Sequence, residues 1–173
     1  MLNAFPSLTP GKQDCNLTDQ FMARTILFIC TGNVCRSPMA EGLFRCLIKE
    51  NAADLIVKSA GVGAQNGQAP SGNAIRAMQD LDIDISPQRS MMMTAAMASE
   101  ADMIIGMTHG HVEMVCLMFP HAVDKTFLLR EFDDSVPLYE REISDPIGGS
   151  YQVYCQCRDQ IREGIDSLLN SIQ

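Results

Sequence analysis

The sequence predicts an α/β fold: a single domain built on a parallel sheet with flanking helices. Three observations carry the prediction. Short continuous apolar runs of strand length recur along the chain, and segments with helical apolar stripes separate them. Between the first run and the first stripe lies a tight loop that starts with a cysteine and closes with an arginine. Strands alternating with helices need crossover connections, and these make neighbouring strands parallel.

The first strand is expected over residues 25–29, Thr-Ile-Leu-Phe-Ile, a run fit for burial on both faces. Ser37 and Pro38 follow the loop, serine as a helix cap and proline in its first turn. Ala40, Leu43, Phe44, Leu47 and Ile48 then share one helical stripe. A second strand is read at 55–60, a helix at 71–78 after Pro70, and a third strand at 103–107. Thr108 suits the cap of the next helix, with Val112, Val115, Cys116 and Phe119 inward and Pro120 as its stop. The fourth strand falls at 127–129 and is followed by a polar loop to about residue 150. A last helix places Tyr154, Cys157, Ile161, Ile165 and Leu168 on one face.

The chain has 173 residues, 46% of them hydrophobic and 20% charged, the balance of one globular domain. Residues 1–21 show no periodicity and are read as a flexible N-terminal extension to a domain spanning 22–173, with Met22 a second candidate start. No apolar run approaches the ~20 residues that span a bilayer. Without that run or the apolar centre of a secretory signal, the expectation is a cytoplasmic protein with no membrane insertion. A net charge of −8 argues against nucleic acid as a partner. It leaves room for a locally positive site. Seven irregularly spaced cysteines suggest no disulfide framework. Nothing in the sequence sets an oligomeric state.

The loop reads Cys30-Thr31-Gly32-Asn33-Val34-Cys35-Arg36-Ser37-Pro38. Successive N–H groups of such a loop can turn inward as an anion cradle, and the helix behind it adds its positive end. Arg36 can grip two phosphate oxygens with its planar fork. The same positive field favours a thiolate at Cys30, in line with a leaving group on the phosphorus. A cysteine and an arginine at this spacing occur often by chance. The strand before and the helix after make a phosphate-binding loop the better reading than a structural turn. Cys30 also lies at a strand's carboxyl end, where parallel sheets build their sites.

This loop, together with Ser59-Ala60-Gly61 and Asp145-Pro146, resembles the low-molecular-weight protein tyrosine phosphatase family from about residue 25 to 169. The resemblance implies four parallel strands, no metal, no cofactor and a phosphorylated protein as substrate. It implies Cys30 as nucleophile, Arg36 as phosphate clamp and Asp145 as general acid. Asn33 and Ser37 match the positions that brace the loop and hydrogen-bond the thiolate. One carboxyl group can protonate the leaving group and then activate water. Glu131, Asp133, Asp134, Glu140 and Glu142 crowd the same segment and are read as a solvated face. Pro146 restricts the backbone of Asp145, which favours that acid.

Cys35 is either a small loop residue or a reversible partner for oxidised Cys30. Cys116 and Cys157 are expected in the core; Cys15, Cys46 and Cys155 have no assigned task. His109 and His111 point to different helix faces, so structural or surface roles are favoured over metal binding. Met91, Met92, Met93 and Met97 are read as core filling before an adaptable surface.

Two rivals share the loop chemistry. A thiol-dependent arsenate reductase is disfavoured by Pro38 after Arg36-Ser37, and by the lack of a cysteine between Cys46 and Cys116. A sugar-transport phosphocarrier is disfavoured by Arg36 and Asp145, since a carrier must avoid reaction with water. On substrate, the apolar Val34 favours phosphotyrosine. Asp145-Pro146-Ile147-Gly148-Gly149-Ser150 resembles the protein-arginine phosphatase branch, so phosphoarginine stands close behind.

Overall fold

The computed structural model describes residues 24–48 and 55–172. The expected extension at 1–21 and the alternative start at Met22 lie outside the described residues. Four strands form one parallel sheet in the order β2-β1-β3-β4: β1 (Arg24–Cys30), β2 (Leu55–Gly61), β3 (Met103–Gly106) and β4 (Thr126–Leu128). The helices are α1 (Arg36–Leu47), α2 (Gly72–Gln79), α3 (Ala95–Glu100), α4 (His109–Met118) and α5 (Tyr151–Ile172).

Central β1 decides the layering. Ile26, Phe28 and Cys30 face the core shared with α1, α2 and α5. Leu27 and Ile29 face a second core with Ala98, Val115, Phe119 and Ala122. Side chains of a strand alternate between faces, so a continuous apolar run fills both cores at once. Phe28 and Phe44 meet at 5.6 Å between ring centroids, tying α1 to the sheet. The long stripe of α5 closes the first core with Ile161, Ile165 and Leu168 fully buried.

The sheet and the helices at α1, α2, α4 and α5 match the sequence reading to within a few residues. Ser71 and Thr108 cap α2 and α4, accepting from the N–H groups of Ala74 and His111. Other expectations are corrected. Ser37 does not cap α1: Cys35 holds that position without a side-chain bond, and the Ser37 hydroxyl turns to Cys30 instead. Cys116 is only partly buried, and Leu47 is 40% exposed. The methionine run is divided: Met93 is buried, while Met91 and Met92 stay exposed beside the end of β2. The six-residue α3 was not anticipated; it is too short to show a helical period.

Candidate active site

Cys30 ends the central strand, and the chain must turn at once to start α1. It does so through Asn33, whose φ of 53° lies in the left-handed region that asparagine tolerates better than most residues. The turn also needs room beside it. A Cβ on Gly61 would sit 2.4 Å from the Thr31 carbonyl oxygen and 3.0 Å from the Asn33 nitrogen, so only glycine allows β2 to approach this closely. A Cβ on Gly32 would meet only Val34 Cγ2, at 3.6 Å. The close approach therefore depends on Gly61, across the sheet from the loop.

Asn33 is braced by every polar atom of its side chain. Its Nδ2 donates to Ser37 Oγ (2.8 Å) and to Ser59 Oγ (2.9 Å), and its Oδ1 accepts from the Met91 N–H (2.8 Å). A backbone N–H can only donate, so the Met91 contact fixes which end of the amide is oxygen. Ser59 in turn donates to Glu41 Oε2 at 2.5 Å. Burial pushes the Glu41 carboxyl above its usual range, against the Ser59 hydrogen bond and the nearby Arg45 charge. Through this chain α1, β2 and the segment at Met91 all hold one loop residue.

The end of β1 is equally enclosed. Cys30 is 2% exposed; its Sγ lies 3.0 Å from Ser37 Oγ and accepts from the Asn33 N–H at 3.2 Å. None of the turn, loop and cap backbone hydrogen bonds uses the N–H of Gly32, Val34 or Cys35. Arg36 is 4% exposed: Nη1 donates to the Ile143 carbonyl (3.1 Å), Nη2 to Asp145 Oδ2 (2.6 Å), and Nε finds no acceptor among the described residues. Unspent backbone donors in the loop after Cys30, together with the unpaired Arg36 Nε, fit an anion with several oxygens.

Asp145 reaches this cluster from the segment before α5, its side chain 42% exposed at the mouth. Its second oxygen accepts from the Ile147 N–H at 3.1 Å, which holds the carboxylate. The competing acids lie elsewhere. Glu131 accepts from the Leu128 N–H, Glu142 from the His109 N–H, and Asp133 from Ser135. Of the acids in this segment, Asp145 is the one that bonds Arg36. Thr31 is exposed at the rim, with Val34 partly buried beside the loop.

Cys35 is buried and turned to Ser71 Oγ (3.3 Å) and Tyr154 Oη (3.4 Å). Burial raises its thiol above the ordinary value. The two histidines part company: His109 is exposed, whereas His111 is buried against Thr31. Among the described residues no group of three or more His, Cys, Asp or Glu is placed to hold a metal, and no helix is long and apolar enough to cross a membrane. Glu41 and His111 were missed as site residues. Glu41 reads as one more polar position on α1, and the histidine as one of a dispersed pair.

Known proteins resemble this chain along most of its length. The family described as low molecular weight phosphotyrosine protein phosphatase matches residues 25–173. A protein-arginine-phosphatase of Geobacillus stearothermophilus is 38% identical over 152 residues, 88% of this chain and 98% of the relative. A probable low molecular weight protein-tyrosine-phosphatase, EpsP, of Ralstonia nicotianae is 30% identical over 152 residues, covering 88% and 98%. Among solved structures, the YwlE arginine phosphatase mutant C7S, with a phosphorylated active site serine, superposes with a TM-score of 0.79. It shares 32% identity and covers 86% of this chain and 95% of its own.

Proposed function

We propose, from the premise that this chain belongs to the low molecular weight phosphotyrosine protein phosphatase family, that its phosphoryl transfer runs through Cys30, Arg36 and Asp145. The chain is a hydrolase of phosphorylated proteins. The observation that carries the residue assignment is the closed cluster at the end of β1, where Arg36 joins the nucleophile loop to the acid at 2.6 Å.

In the first step the Cys30 sulfur attacks phosphorus, forming an S–P bond as the bond to the leaving group breaks. Arg36 and the loop N–H groups take the equatorial oxygens, where charge is held during transfer. Asp145 gives its proton to the departing atom. In the second step Asp145, now a carboxylate, takes a proton from water as the water oxygen attacks phosphorus. The S–P bond breaks, inorganic phosphate leaves, and the sulfur regains its electron pair. The Ser37 hydroxyl, 3.0 Å from that sulfur, can turn its proton to the thiolate and stabilise it as a leaving group.

Phosphotyrosine is the substrate this site fits first. Val34 and Ile147, the latter 63% exposed beside Asp145, offer apolar surface to a phenyl ring. A second reading, phosphoarginine, is supported by the arginine-phosphatase relative and by the glycine-rich run after Asp145. The deciding measurement is kcat/KM on matched phosphotyrosine and phosphoarginine peptides. Faster phosphoarginine turnover would reverse the order. For the nucleophile, Cys30→Ser should abolish turnover while the protein still binds phosphate or traps it as a phosphoserine visible by mass. Sustained hydrolysis by that variant would remove Cys30 from the mechanism.

A further inference from the structure

His111 takes no part in the two steps above, yet it is the buried titratable group that touches the nucleophile loop from the far side of the sheet. Its residue is 6% exposed, and both ring nitrogens are engaged. Nδ1 lies 2.9 Å from Thr108 Oγ1, and Nε2 lies 2.9 Å from Thr31 Oγ1. Gly106 at the end of β3 permits this. A Cβ there would meet Val112 Cγ2 at 3.0 Å and His111 Cβ at 3.3 Å, so glycine lets the start of α4 close down on the sheet.

The polarity of the chain follows from its outer end. Thr108 caps α4, so its oxygen accepts the His111 backbone N–H (3.3 Å) and its hydroxyl proton is available to Nδ1. An imidazole that accepts at Nδ1 carries its proton on Nε2 and donates it to Thr31. Burial and the nearby Arg36 charge hold the ring's pKa down to about 4, so at neutral pH it has one proton to place. The Thr31 oxygen is then an acceptor toward His111, and its own proton must turn away. Thr31 directly follows Cys30, its carbonyl is pinned by the Gly63 N–H at 2.9 Å, and the residue is exposed.

We propose that His111 is a positioning residue that turns the Thr31 hydroxyl proton toward the phosphoryl group held above Cys30, so that Thr31 adds a side-chain donor to the anion cradle. This rests on the reading of the Cys30 loop as the phosphoryl site. The relay runs Thr108 to His111 to Thr31 to a phosphoryl oxygen; each hydroxyl gives one hydrogen and takes one, and the ring takes at Nδ1 and gives at Nε2. It moves no proton between residues and needs no co-reactant.

The test is inorganic phosphate binding by calorimetry, alongside kcat and KM on p-nitrophenyl phosphate. Thr31→Val keeps the shape and removes the hydroxyl. It should weaken phosphate binding about tenfold, the scale of a hydrogen bond to a charged group. Thr31→Ser should restore binding. His111→Leu should cost a similar factor in the wild-type background, but less than about twofold once Thr31 is valine. His111→Gln, whose amide nitrogen can approach the place of Nε2, should recover most of the loss. If His111→Leu does not fold, Thr31→Val, Thr31→Ser and His111→Gln carry the test. Phosphate binding untouched by Thr31→Val overturns the relay. So does a His111→Leu cost that is equal in both backgrounds, which would mark a structural role. A wild-type protein that binds no phosphate overturns the site reading itself.

Discussion

Arg36 and Asp145, 109 residues apart in sequence, meet at 2.6 Å in an ion pair with one partner buried and the other at the surface. The side chains proposed as phosphate clamp and as proton source are thus held by one contact. Replacing Asp145 with asparagine keeps the shape and removes the acid. The expected cost is roughly 10²–10⁴ in kcat, growing as the leaving group becomes more basic. Steady-state rates across a series of aryl phosphates check this. A larger effect from Asp133→Asn or Asp134→Asn would show the wrong acid had been chosen.

Gly61→Ala should damage activity out of proportion to its size. The added methyl would stand 2.4 Å from a backbone oxygen of the loop, and no side-chain rotation can relieve that. A shift of about 1 Å at Cys30 is expected to lower kcat/KM about 10²-fold. Gly72→Ala is the control: nothing lies within 4 Å of its Cβ, so activity should hold and stability should rise slightly.

Cys35 is not poised for rapid disulfide formation, since burial raises its thiol and its hydrogen bonds go to Ser71 and Tyr154. Mild peroxide should still join it to Cys30 reversibly, but bridging should speed up as pH rises toward the Cys35 thiol's value. Peptide mapping after timed oxidation from pH 6 to pH 9 reads this. Irreversible loss with Cys35 still free would refute it.

Val34→Thr places a hydroxyl beside the phosphate-bearing group with little change in shape. The ratio of kcat/KM for phosphoarginine to phosphotyrosine peptides should rise severalfold, within the modest range that one pocket contact commands. An unchanged ratio would move specificity to Ile147 and the glycines after it.

Stability should carry the mark of His111. Its pKa is held down to about 4, first by burial and then by Arg36, while Asp145 and Glu142 pull the other way. The unfolded chain therefore takes a proton that the folded chain refuses. The His111 contribution to stability should fall as pH drops from about 6.5 to about 4 and level off below that. Denaturant midpoints across this window should show a shallower slope for His111→Gln.

The sheet was legible because Ile26 to Ile29 and Met103 to Ile105 are apolar runs that only burial explains, and the loop from Cys30 to Ser37 stood out as a candidate because its residues are contiguous in the sequence. Contacts made by strand pairing were not. Ser59 reaches Asn33 only because β2 lies in register beside β1, pairing Phe28 with Ser59. Glu41 enters through Ser59, and the Met91 N–H through a bridge of its neighbour Met92 to Gly61. No spacing along the chain encodes such meetings. Ser37 misled for the opposite reason: a serine before a helical stripe is a good cap locally, but the loop's sulfur took its hydroxyl.

The central position of β1 divides the enzyme into parts that open at different costs. Cys30 hangs from a strand bonded on both sides, so exposing its amide requires dismantling the sheet, and hydrogen exchange there should run near the global limit. Asp145 rides on a segment of short turns between β4 and α5, pinned at Ile143 by the Met107 carbonyl and Arg36 and elsewhere by Arg130 and Arg141 to backbone carbonyls. Gentle warming should release that segment first. The protein would then keep its affinity for phosphate while losing turnover, and would regain turnover on cooling without refolding its core.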